Sequence, residues 1–146
     1  MAGRLKMFIP LGLFAATLSA CSPAPDRAEG SPFSTLSESI PAETVYLPED
    51  LPIPAEAGIT FSEGKLVDGK KSGMLIYETK ESMTLLGSTY QKYLGSKHLE
   101  HGTQIIEPGN LLISGKVPGS YSYSIIGSRF AGDSGDTEII VTWLDN

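Results

Sequence analysis

One stretch of this chain changes the hydrophobic period, and that change restricts the fold more than any other feature. Met83, Leu86, Tyr90, Tyr93 and Leu94 recur at helical spacing, while Ser88, Gln91 and Lys92 fall off that face. The segments on either side alternate with the period of two that belongs to strands. One amphipathic helix among several strands needs one apolar sheet face to cover. The pattern therefore predicts an α+β domain: a mostly antiparallel sheet of about five to six strands with a single helix on one face.

The strands follow from turn chemistry. Gly58–Ser62 with Lys65–Val67 reads as a first strand and Ser72–Thr79 as a second, joined through Asp68-Gly69. That pair favours a tight hairpin, because glycine takes positive φ at no steric cost and aspartate tolerates it better than most residues. The helix starts after Glu81, capped by Thr79 or Ser82, and ends at Gly95 or Gly102, with Gly87 weakening it by about 1 kcal/mol relative to alanine. A second hairpin follows, Thr103–Glu107 and Leu111–Val117 around Pro108-Gly109-Asn110. Ser120–Ile126 alternates so as to bury Tyr121, Tyr123 and Ile125 together. Thr137–Leu144 is apolar on both faces, which places it centrally in the sheet. The expected order is ββαβββ with room for one further strand, and the face away from the helix is left to solvent or a partner.

The amino-terminal part obeys different rules. Arg4 and Lys6 precede the uncharged run Met7–Leu18, broken by Pro10 and followed by Ser19-Ala20, which is the layout of a secretory signal. The run is about a dozen residues long, short of the roughly 20 that span a bilayer as a helix. Leu18-Ser19-Ala20-Cys21, with the only cysteine of the chain, resembles the lipobox of bacterial lipoproteins. The resemblance covers this segment alone. It implies that residues 1–20 are removed as a lipoprotein signal peptide and that Cys21 receives a thioether-linked diacylglycerol and an N-acyl chain. It also implies a lipid-anchored protein of the cell envelope, and Ser22, not being Asp, implies the outer membrane facing the periplasm if the envelope is Gram-negative.

Cleavage there removes Arg4 and Lys6 and no acid, so the formal net charge moves from −6 by two to −8. An acidic chain disfavours nucleic acid and anionic headgroups as main partners. With Cys21 committed to lipid, no thiol is left for a disulfide, a nucleophile or a zinc site. Residues 21–46 are rich in Ser, Pro, Ala and Glu without a period, and read as the lipidated cysteine and a flexible tether, within which Phe33, Leu36 and Ile40 offer a short docking segment as the alternative. The folded domain is expected over 47–146.

Catalytic signals are fragments. Gly64–Lys71 matches a phosphate-binding loop up to its lysine, but Lys71 stands where Ser or Thr is required, and the context is a hairpin. Gly132-Asp133-Ser134-Gly135 resembles the nucleophile motif of chymotrypsin-like proteases, yet Asp136 follows and no partner His is signalled. His98 and His101 are weak candidates for a metal site, three apart and without a third ligand, and no cofactor is expected. Tyr121 and Tyr123, with Trp143 or Tyr77 on the same face, are candidates for an aromatic surface that meets a partner or ligand; the competing role for these rings is the core. The sequence therefore points to a non-enzymatic binding or assembly role, with an envelope protein or cell-wall component as partner. The alternatives are a small periplasmic hydrolase acting on cell-wall or ester substrates through His98, His101 or Ser134, and a ligand- or metal-binding lipoprotein.

Overall fold

The computed structural model describes residues 32–40, 45–99, 102–130 and 135–146. Cys21, the signal segment, His101 and Ser134 lie outside the described residues.

The main sheet has six antiparallel strands: β3 (Gly58–Val67), β4 (Lys70–Thr79), β5 (Thr103–Ile106), β6 (Asn110–Val117), β7 (Tyr121–Arg129) and β8 (Thr137–Asp145). Their spatial order is β3-β4-β8-β7-β6-β5, so the last strand of the chain inserts between β4 and β7. The helix α2 (Met83–Ser96) carries the chain from β4, next to one edge, to β5 at the other. The expected α+β arrangement of a mostly antiparallel sheet and one long helix is what forms, and the strand apolar on both faces is interior.

Local chemistry accounts for the joints. Asp68 and Gly69 both take positive φ, 52° and 77°, the mirror-image turn whose twist suits a two-residue hairpin. Ser82, with extended backbone, caps α2 by accepting a hydrogen bond from the Leu85 N–H at 3.3 Å. At the other end the Leu99 N–H bonds to the Leu94 carbonyl and the His98 N–H to the Gly95 carbonyl, while His98 sits at φ 55°. This is the paired bonding of a Schellman stop, with His98 in the left-handed position that glycine usually occupies. The helix thus ends at Ser96, one residue past Gly95, and does not continue to Gly102. His98 is not on the helix, which removes the basis for pairing it with His101 on one helical face.

The core lies between the sheet and α2. Leu75, Tyr77, Leu111, Ile113, Tyr123, Ile125, Ile139 and Val141 meet Met83, Leu86, Tyr90 and Leu94 there, all essentially buried. Glycine at 127 lets this layer close: a Cβ there would lie 2.6 Å from Ile139 Cδ1 and 2.8 Å from Met83 Sδ. Gly87 has a similar role inside the helix, where a Cβ would meet Ile106 Cγ2 at 2.7 Å.

The boundary of the domain differs from the sequence expectation. The stretch 33–40, read as tether, forms β1 (Phe33–Thr35) and the short α1 (Leu36–Ser39), and β1 pairs with β2 (Pro52–Pro54) in a separate two-stranded sheet. Leu36, Val45, Leu47, Leu51 and Ile53 are buried with the main core, and Phe33 and Ile40 pack against it. The Leu36 N–H bonds to the Leu51 carbonyl, and the Ala55 N–H to that of Pro32. This is the docking alternative offered by Phe33, Leu36 and Ile40 rather than the tether; the absence of a period hid the strand and short helix, because the segment is held by long-range contacts and by a partner strand made of Pro-Ile-Pro. Gly73 admits the neighbouring residues Tyr46 and Leu47 to the same side of the sheet: a Cβ on Gly73 would lie 2.7 Å from the Tyr46 carbonyl oxygen.

Candidate interaction surfaces

Strand register decides what the other face of the sheet presents. Phe61 pairs with Ile76, Ile76 with Ile140, Ile140 with Ile126, Ile126 with Leu112, and Leu112 with Ile105. Directly paired residues point to the same side of a sheet, so these six make one apolar belt across all six strands. The belt lies opposite the core, since its neighbours along each strand, such as Leu75, Tyr77, Ile139, Val141, Ile125 and Ile113, are the buried ones. Phe61, Ile126 and Ile105 remain 42%, 43% and 43% exposed, the level of surface side chains, although each belongs to an apolar row. Among the described residues no element lies over this face.

The bulge between Ile59 and Phe61 makes the belt complete. It adds Thr60 to β3, so that Ile59 turns into the core opposite Tyr77 while Phe61 joins Ile76 on the open side. Without that extra residue the two side chains could not both take these sides.

Polar rows flank the belt. On one side Glu78 pairs with Glu138 and Glu138 with Ser128. On the other is a row running from Glu63 and Met74 through Thr142, Ser124 and Ser114 to Thr103, in which the Ser124 and Thr142 hydroxyls are hydrogen-bonded. Beyond it lies a row ending in Lys65 on β3 and Lys116 on β6. A shallow hollow of about 280 Å³ opens here among Ser72, Ser122, Ser124, Thr142 and Leu144.

A second, smaller feature sits at the far end of the helix. Tyr121, Tyr123 and Trp143 share the core-side face, as alternation predicts, and they stack: Trp143 lies 4.5 Å from Tyr121 and 5.4 Å from Tyr123 between ring centroids. Tyr123 is buried, whereas Tyr121 and Trp143 are half-buried and line a hollow of about 160 Å³ with Pro48, Tyr93, Lys97 and Leu99. The Tyr93 hydroxyl donates to Asp50 at 3.0 Å, and Lys97 forms an ion pair with the same carboxylate. The hydrogen-bonded Lys97 ammonium holds the Asp50 carboxyl below its usual range, against the opposing effect of partial burial and with help from the Tyr93 hydroxyl. Burial, reinforced by the Asp50 charge, pushes the Tyr93 hydroxyl well up. Tyr77 is separate from this cluster's rim: it is fully buried and hydrogen-bonded to Tyr90.

Of the residues singled out from the sequence, the aromatic trio is brought together. His98 is exposed at the helix stop. The glycine-rich stretch 64–71 is the β3–β4 hairpin and meets no helix amino terminus. No group of three or more His, Cys, Asp or Glu able to hold a metal occurs among the described residues. The belt was missed because its members are spread over six strands, each contributing one apolar residue in the solvent phase. The available signal was that Ile76, Leu112, Ile126 and Ile140 each follow or precede a core residue directly, leaving strands apolar on both faces. Comparisons with family models, with curated proteins and with solved structures find no match to this chain.

Proposed function

We propose that this chain is a lipid-anchored envelope lipoprotein whose domain works by binding rather than by catalysis. The observation that carries the reading is the apolar belt on the uncovered sheet face. A monomeric soluble domain rarely leaves a continuous apolar strip across a whole sheet, and such strips mark interaction sites. Cys21 supplies the anchor: two or three acyl chains hold a protein far more firmly than one, at about 0.8 kcal/mol per buried methylene. Residues 22–31 join that anchor to a domain that starts near Phe33. In a Gram-negative envelope the place is the periplasmic side of the outer membrane.

The anchor is tested by Cys21→Ser. The expected outcome is loss of the acyl mass and of membrane partitioning; unchanged mass and partitioning would overturn this half of the reading. The binding half is tested in the envelope with a photo-crosslinking amino acid at Ile126, which should yield an adduct, compared with Ser88 on the exposed side of α2, which should not. Equal adducts at both sites, or none at Ile126, would remove the belt as the binding surface.

The hollow of Tyr93, Lys97, Tyr121 and Trp143 favours a ligand-binding role as the second reading. Trp143 is the only tryptophan of the chain and reports directly on that site. A change in its fluorescence on titration with soluble cell-wall fragments, lost in Tyr121→Ala, would move the weight to this reading.

A further inference from the structure

We infer that the hollow between the end of α2 and the strands β7 and β8 binds one sugar ring of a glycan, laid on Tyr121 and Trp143 and hydrogen-bonded at its edge by Lys97 and Tyr93. The inference rests on the ligand-binding reading of this hollow and names the class of ligand.

The floor of the hollow is apolar and rigid. Tyr121 and Trp143 come from neighbouring interior strands, and their rings stack at 4.5 Å with 25° between planes, so each fixes the other. Both are half-buried there, and Pro48 and Leu99 add apolar wall. The rim is polar. Tyr93 on the last turn of α2 and Lys97 at its cap stand four residues apart, so they lie on one side of the helix. Asp50 holds both heads in place, accepting from the Tyr93 hydroxyl and pairing with the Lys97 ammonium. Lys97 also lies close enough to Tyr121 for its charge to oppose the burial that raises that hydroxyl. The charged edge therefore adjoins the aromatic floor.

Charge and shape choose among ligands. The Lys97 ammonium and the Asp50 carboxylate cancel, so a simple anion or cation gains little unless it breaks the pair. A wholly apolar group would strip water from the half-exposed pair and from the Tyr93 hydroxyl without replacing it. An extended peptide needs backbone groups to pair with, but β7 and β8 are interior strands already paired on both sides. A sugar ring has one face of slightly positive C–H groups, suited to the negative face of an aromatic ring, and an edge of hydroxyls that donate and accept. Those hydroxyls can accept from Lys97 and donate to the Tyr93 oxygen. At about 160 Å³ the hollow is smaller than the roughly 300 Å³ at which pockets for drug-sized ligands begin, so it admits one ring and leaves the rest of a glycan outside.

The test uses the full acylated chain in vesicles of phosphatidylethanolamine and phosphatidylglycerol, read by the fluorescence of Trp143. Chitotriose and cellotriose are the sugar probes, one with acetamido groups and one without. Tri-alanine, tetramethylammonium chloride and phosphate are the controls, and soluble cell-wall fragments are titrated alongside. At least one sugar should give a saturable change with a midpoint near about 1 mM, the level expected of a single ring, and the controls none. Tyr121→Ala should raise that midpoint about tenfold or more, and Lys97→Met about threefold or more. Because Lys97 is half-exposed, weaker binding in Lys97→Met does not reflect unfolding. A response to the fragments or to a control, with neither sugar active, overturns the sugar and leaves the ligand-binding reading standing. So does a control that acts as strongly as a sugar. A sugar response unchanged in either variant overturns the site. No response to sugars, controls or fragments overturns both the inference and the reading it rests on.

Discussion

The hydroxyls of Tyr77 and Tyr90 meet at 2.6 Å in the middle of the core, where neither ring is exposed. Each satisfies the other, so removing one strands its partner. Tyr77→Phe alone or Tyr90→Phe alone should cost about 1–3 kcal/mol in urea unfolding, and the double replacement less than the sum, because the orphaned hydroxyl goes with it. Burial, together with the neighbouring Tyr90, raises the Tyr77 ionisation above its ordinary 10.0. A group whose folded value is raised contributes its full share below the unfolded value and loses it above. Stability should therefore hold up to about pH 10 and fall beyond it, and the double phenylalanine variant should fall less steeply. Asp50 behaves in the opposite sense: its value is lowered from 3.8, so its contribution is present above that pH and lost below it. Because the pair with Lys97 is half-exposed, Asp50→Asn should remove under about 1 kcal/mol of stability at neutral pH and flatten the acid limb of the stability curve.

The ends of α2 test how local rules act in this fold. Ser82→Ala removes the cap on the Leu85 N–H and should cost about 1 kcal/mol. His98 holds φ 55° at the carboxyl end, a conformation that favours glycine. His98→Gly should raise stability by about 0.5–1 kcal/mol in thermal or urea unfolding; a loss instead would mean that the imidazole carries an interaction of its own. Within the helix the glycine at 87 costs propensity but admits Ile106. Gly87→Ala is therefore expected to be neutral or destabilising, despite a gain of about 1 kcal/mol in helix propensity, and Gly87→Ala with Ile106→Val to recover part of that gain. The same elements show what was legible. Asp68-Gly69, Ser82 and the alternation of β7 act through neighbours a few residues away, so they could be read directly. The β1–α1 segment was legible only as the docking alternative at Phe33, Leu36 and Ile40, and not as strand and helix, because Leu36 and Ile53 become buried only when strands distant in sequence pair.

For the molecule as a whole, the decisive arrangement is a two-layer one: helix and the 45–54 segment on one side of the sheet, nothing described on the other. Inserting β8 between β4 and β7 places Ile140 at the middle of the belt and Ile139 and Val141 in the core. The open face and the core are thus the two sides of one interior strand. A charge placed on the belt acts on the open face alone: Ile126→Lys, at a site already 43% exposed, should leave unfolding free energy within about 0.5 kcal/mol of the wild type while abolishing capture at that face. Gly127→Ala, its neighbour on the other face, should do the reverse and cost about 1–3 kcal/mol, since its Cβ would press on Ile139 and Met83. Urea unfolding and photo-crosslinking run side by side distinguish the two faces of one strand.

Composition, period and turn residues were enough by themselves to determine an α+β domain, its hairpins, its one long helix and a central last strand. These properties depend on the chain's local geometry, which each short segment carries in its own residues. Which apolar residues stand in one row, which segment joins the core and which aromatic rings stack depend on strand register and on contacts between distant parts. Only the tertiary structure decided these, because a period of two says which residues share a side of one strand but not which neighbour each will face.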